Sequence, residues 1–143
     1  MNSRRKGRIL AFQALYCWEA TKIPAEELTE FPWLAEKRGN LDEGIAVFAR
    51  LLIAGTIESV GAIDEIIKRH LQNWDISRLN RVDLAIIRMS VYSLMHQEEI
   101  APSIVIDEAI GISREFGTDD SFRFINGVLD SIRKTLLAER QGD

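Results

Sequence analysis

The sequence predicts an all-α protein, and three observations lead there. Prolines number only three, at Pro24, Pro32 and Pro102. Apolar residues recur at helical three-and-four spacing through most of the chain. No run alternates apolar and polar residues between turn signals, as a half-buried strand would. With 143 residues, 46% of them hydrophobic, the chain can bury one ordinary core without disulfides or a structural metal.

The first helix is expected from Ser3 to about Ala20, where Ile9 onward is apolar on most sides and Gln13 is the one strongly polar interruption. Pro24 ends that stretch, and Ala25 to about Lys37 reads as one or two short helices broken near Phe31-Pro32-Trp33, because proline disfavours helix at the residue before it. Arg38-Gly39-Asn40 reads as a turn. A long helix is then expected from about Leu41 to Leu71, carried by Ile45, Phe48, Leu52, Ile53, Ile57, Val60 and Ile67. Gly55 and Gly61 each weaken it by about 1 kcal/mol and call for a close neighbour or a bend.

Asn73-Trp74-Asp75 reads as a loop, with Asp75 or Ser77 able to cap the next helix. The helix from about Asn80 to His96 is the most apolar and so is expected at the centre. Arg88 sits in its middle; a snorkelling or salt-bridged arginine is the ordinary reading of such a position. Pro102 suits the first turn of another helix, and Gly117 suits its end. Asp119 or Asp120 is expected to cap a last helix that runs to about Leu137. Its stripe is Phe122, Ile125, Leu129, Ile132 and Leu136, with a frayed tail from Ala138.

Charge is unevenly distributed. Arg4, Arg5, Lys6 and Arg8 give residues 1–18 four positive charges and no negative one, so the remainder carries −8 against a total of −4. A basic end on an acidic body can aim a polyanion at one site. It can also be a solvated helix start, although cations there oppose the helix dipole. Phe124 lies about 200° around the last helix from Phe122, away from its core stripe. Such a ring can stack a nucleobase or pack against a second neighbour.

Catalytic motifs are not found: no nucleophile elbow, no P-loop and no dinucleotide fingerprint. Cys17, the single cysteine, excludes an intramolecular disulfide and is expected to be buried and inert. With His70 and His96 the only histidines, a soft metal site is not expected. No cofactor and no enzymatic activity are expected. No segment reaches the roughly 18 consecutive apolar residues of a membrane span, and no signal-peptide core is recognised, so a cytoplasmic protein is expected.

Several segments resemble the NusB family of transcription antitermination factors. Arg4-Arg5-Lys6-Gly7-Arg8 followed by Phe12-Gln13-Ala14-Leu15-Tyr16 and Trp18 is similar to that family's arginine-rich first helix. Asp83 to Tyr92 resembles its central helix. Ile100-Ala101-Pro102, Val105-Ile106-Asp107-Glu108-Ala109 and Phe124-Ile125-Asn126-Gly127-Val128-Leu129-Asp130 resemble its later signatures. The chain departs from many relatives at Ser93, where a glutamate is common, and at Asp107, where an asparagine is.

The resemblance implies about seven helices in two packed helical subdomains, about residues 1–72 and 73–138. It implies binding of the boxA RNA of ribosomal RNA leaders together with NusE, a small-subunit ribosomal protein, in an RNA polymerase elongation complex with other Nus factors. By matched position, the RNA-binding residues would be Arg4, Arg5, Lys6, Arg8, Gln13, Asp120 and Phe124. As an acceptor Asp120 would read base amino groups or cap the last helix, and capping is the safer reading. Tyr16 and Asp83 match positions expected at NusE. A homodimer is a further partner, and no membrane association is expected. The alternative is an RNA-independent helical protein-interaction scaffold.

Overall fold

The computed structural model describes residues 3–72 and 75–142, apart from the side chains of residues 35, 36 and 38. Asn73 and Trp74, expected in a loop, lie outside the described residues. Among those described there are seven α-helices and no strand: α1 Ser3–Thr21, α2 Ala25–Leu28, α3 Glu43–Glu58, α4 Val60–Arg69, α5 Arg81–His96, α6 Pro102–Phe116 and α7 Ser121–Gly142. Two 3-10 segments, Pro32–Asn40 and Ile76–Arg78, complete the order.

Capping chemistry fixes several starts. The Asp42 carboxylate accepts from the Ile45 N–H at 3.1 Å and opens α3. Asn80 accepts from the N–H groups of Val82 and Asp83 at 2.9 and 3.2 Å and opens α5. Asp75 caps only the short 3-10 turn, through the Ser77 N–H at 3.0 Å. Pro102 takes the first position of α6, where its missing N–H costs nothing.

Helix α5 is the central element, packing against α1, α3, α4, α6 and α7. It is buried without interruption from Asp83 to Val91, as its many-sided apolar pattern requires. Around it, Leu15, Leu52, Ile53, Ile63, Ile112, Ile125, Leu129 and Ile132 are fully or almost fully buried. Each such side chain contributes about 1.5–3 kcal/mol on leaving water.

Four expectations need correction. The single long helix over residues 41–71 is two helices that meet at 72°. Ser59 is the joint: its N–H bonds to the Gly55 carbonyl at 3.1 Å while its carbonyl accepts from the Ile63 N–H at 2.9 Å. The bend lays Ile63, Ile66 and Ile67 into the core. Gly55 is needed for close packing, since a Cβ there would lie 2.3 Å from the Tyr92 ring, whereas Gly61 faces open space. Second, α7 does not fray at Ala138 but continues to Gly142. Arg140 holds it by donating to the Leu94 and Met95 carbonyls at 2.9 and 3.3 Å, with Glu98 3.3 Å away.

Third, neither Asp119 nor Asp120 makes a side-chain cap among the described residues. The loop before α7 is tied by the Ser121 hydroxyl, which accepts from the Thr118 N–H at 2.9 Å. Gly117 ends α6 with extended rather than left-handed backbone. Fourth, Cys17 is half-buried rather than buried. Phe122, the first residue of the α7 stripe, also remains half-buried, flanked by the guanidiniums of Arg114 and Arg123 at 4.6 and 5.4 Å from its ring centre.

Both short breaks near α2 use left-handed residues, Lys22 (φ 60°) and Phe31 (φ 53°). Phe31 precedes Pro32, and its buried ring is the anchor that holds this strained position. Ser93 donates to the Gln97 side chain at 2.6 Å in the buried end of α5. Asp107 is exposed. No single helix among the described residues is long and apolar enough to cross a membrane.

Candidate nucleic-acid interface

The four cations at the start of α1 have different surroundings. Arg4 is exposed, its guanidinium 4.3 Å from the centre of the Phe48 ring on α3. Arg8 follows one turn later on the same face and is only 4% exposed, 5.2 Å from that ring and 3.8 Å from Glu108 of α6. Burial pulls the Arg8 pKa below its ordinary value, and Glu108 partly restores it. Arg5 is hydrogen-bonded to Glu108 as well. Lys6 is exposed, on the side of α1 that faces the 3-10 segment.

One carboxylate therefore serves two of the four arginine and lysine side chains. What the tip presents to solvent is chiefly Arg4 and Lys6. The tip can seat against α3 because residue 7 is glycine: a Cβ there would meet the Phe48 ring at 2.6 Å. Grooves flank it on both sides. One, of about 490 Å³, runs between Ser3, Arg4 and the start of α3 past Val47, Phe48 and Leu51. Another, of about 360 Å³, lies between Lys6, Ile9, Leu34, Lys37, Leu41 and Phe116.

Gln13 is half-buried, and its carbonyl oxygen accepts from the Trp33 ring N–H at 3.1 Å. It thus fastens the 3-10 segment to α1. Phe12 meets Phe116 at 5.1 Å between ring centres, which brings the end of α6 beside the middle of α1. Asp120, in the loop after α6, is exposed. Phe124 is half-buried in a separate groove of about 340 Å³, with His70, Leu71, Arg123 and Ser131 among its walls and nothing from α1. There the His70 ring nitrogen lies 2.7 Å from the Ser131 hydroxyl. Burial, followed by the nearby Arg69, holds the His70 pKa below its usual value.

Tyr16 and Asp83 differ in access. Tyr16 is 41% exposed on α1. Asp83 is 7% exposed in the first turn of α5, and its Oδ1 has no hydrogen-bond partner among the described residues. Burial raises its pKa, with the Ser121 hydroxyl working in the opposite direction.

Sequence reasoning missed Phe48, Glu108, Lys37 and Phe116. Glu108 lay inside a segment already singled out, but helical periodicity along one chain does not show which helix faces which. Among the described residues, no group of His, Cys, Asp and Glu is arranged to hold a metal ion.

The fold and this tip define a class: all-α proteins that present a basic helix end, flanked by grooves, as their distinctive surface. Comparison with known proteins then names the family. The NusB family model matches residues 5–134. The chain belongs to the NusB family, a non-enzymatic family of transcription antitermination proteins. The transcription antitermination protein NusB of Treponema pallidum is 52% identical over 132 residues, covering 92% of this chain and 93% of that one. Among solved structures, NusB of T. maritima superposes with a TM-score of 0.79 at 34% identity, covering 92% of this chain and 90% of that one. A crystal structure of antitermination factors NusB and NusE in complex with double-stranded RNA matches with a TM-score of 0.83 at 27% identity, covering 94% and 98%.

Proposed function

We propose that this protein binds boxA-type RNA of ribosomal RNA leaders together with NusE, in the cytoplasm, as part of an RNA polymerase elongation complex with other Nus factors. The observation that carries the RNA reading is the unequal pairing of the α1 cations. Glu108 engages Arg5 and Arg8, while Arg4 and Lys6 remain exposed beside grooves. Exposed cations on one helix tip neutralise phosphates and release counterions.

In this reading Arg4 and Lys6 contact the RNA backbone directly. Arg5 and Arg8 hold the tip in place and add field, and Gln13 acts by fixing the 3-10 segment beside the RNA. Asp120 offers an acceptor to base amino groups, and Phe124 stacks a base that reaches the second groove. Tyr16, being exposed, contacts NusE directly. Asp83 supports that surface from beneath, through the first turn of α5. We also read the chain as two helical subdomains, about residues 1–72 and 73–138, with α5 as their shared wall.

Titration of boxA-type RNA and of a scrambled RNA, each with and without NusE, tests the proposal. Preference for the boxA sequence, strengthened by NusE, is the expected outcome. Equal binding of the two RNAs even with NusE present would refute it; a protein partner captured independently of salt and of RNA would favour an RNA-independent interaction scaffold.

A further inference from the structure

The groove on the Lys6 side of α1 differs from the others near the tip. Its walls are largely apolar, from α1, the 3-10 segment and the start of α3, and the Phe116 ring forms part of them. Phe116 is 37% exposed, although its contact with Phe12 at 5.1 Å holds the ring in place. Four exposed polar side chains line the same space: Lys6, Lys37, Asn40 and Glu115. Among the described residues, neither lysine forms an ion pair. The cavity of about 360 Å³ falls within the usual range of small-ligand sites, roughly 300–1,000 Å³.

We infer that this groove is a nucleotide subsite for single-stranded RNA, taking one unstacked base against Phe116 with the flanking phosphates on Lys6 and Lys37. The inference rests on the RNA-binding reading above and assigns it a specificity pocket. Unstacked bases of single-stranded RNA are recognised by aromatic faces together with hydrogen bonds to their edges. A fixed, partly exposed ring supplies the face. The two lysines supply charge complementarity, and Lys6 makes the groove continuous with the cationic tip. Glu115 repels phosphate but accepts from an amino group, so with Asn40 it favours an amino-bearing base edge. A peptide side chain would fit the apolar walls but gives no reason for two exposed lysines at the opening, which outnumber the one carboxylate, Glu115, among the described walls.

The test is an abasic scan. A boxA-type RNA with one base removed, moved a position at a time, is titrated against the wild type, Phe116→Leu and Lys37→Gln. Leucine keeps an apolar contact with Phe12 and removes the stacking face; thermal melting confirms that both variants fold. In the wild type, one abasic position weakens binding about tenfold. In Phe116→Leu the intact RNA binds correspondingly more weakly, and that position loses its penalty. In Lys37→Gln the salt slope falls by about one contact. If the wild type binds the RNA but the abasic penalties are the same in Phe116→Leu at every position, the subsite is wrong while the RNA reading stands. If Phe116→Leu impairs only NusE binding, the groove is a protein site and the inference fails. If the wild type binds no RNA with NusE present, the parent reading fails first.

Discussion

Two arginine sites in this molecule teach opposite lessons. Arg88, in the middle of α5, is 7% exposed and fully matched. It donates to both carboxylate oxygens of Asp64 on α4 at 2.8 Å and to Glu19 on α1 at 2.9 Å. Trp18 lies under its guanidinium at 5.8 Å. At the α1 tip Arg5 and Arg8 both engage Glu108, and Arg4 lies over the Phe48 ring with no acid paired to it among the described residues. In the first site, geometry and charge are both satisfied within the fold, which ties three helices together. In the second, charge is left over at the surface.

The comparison can be broken most severely at its buried end. Arg88→Ala takes from Asp64 its cation and leaves Glu19 only the exposed Arg81 and Lys22, and is expected to cost about 3 kcal/mol of stability. Urea unfolding measures it; a loss below about 1 kcal/mol would mean that the network is ornamental. Phe124→Ala probes the surface end: a loss of roughly 1–3 kcal/mol in RNA affinity with little change in melting marks a stacking ring. A large fall in melting temperature with unchanged RNA binding assigns it to packing instead.

Half-buried Glu19 and buried Asp83 sharpen the contrast through pH. Burial pushes the Glu19 carboxyl up, but the Arg88 hydrogen bond and charge outweigh it and leave its pKa low. Its stabilising contribution is therefore present above the unfolded pKa and lost as pH falls through the folded one. Asp83 has the opposite sign: its raised folded pKa means that ionisation costs stability at neutral pH, and the cost disappears as pH falls. Asp83→Asn is expected to gain about 1 kcal/mol at pH ~7 and nothing at pH values below the ordinary aspartate range. Melts at the two pH values check this; an equal change at both would remove Asp83 as the source.

Much of the fold was legible because helices declare themselves along the chain. The many-sided apolar pattern of residues 80–96 marked α5 as central, and Pro102 marked the start of α6. The break at Ser59 was not legible, because apolar spacing continues across it and no proline marks it, while Gly55, four residues earlier, serves close packing against Tyr92. The tip was visible as charge, but the division of labour within it was not. Which cations are neutralised depends on Glu108, a hundred residues away in sequence and adjacent only after α6 packs. The same holds for Gln13, whose polar interruption of α1 is answered by Trp33 across a loop. Family resemblance suggested a ligand; the packing shows which of the matched residues are exposed.

The most direct measurement is the salt dependence of boxA-type RNA binding, with NusE present, for the wild type and for Arg4→Ala combined with Lys6→Ala. The account predicts unchanged melting, weaker binding, and a slope of log affinity against log salt that is shallower by about 1.4, two single-strand phosphate contacts at ~0.7 each. An unchanged slope in a variant that still binds the RNA would contradict it.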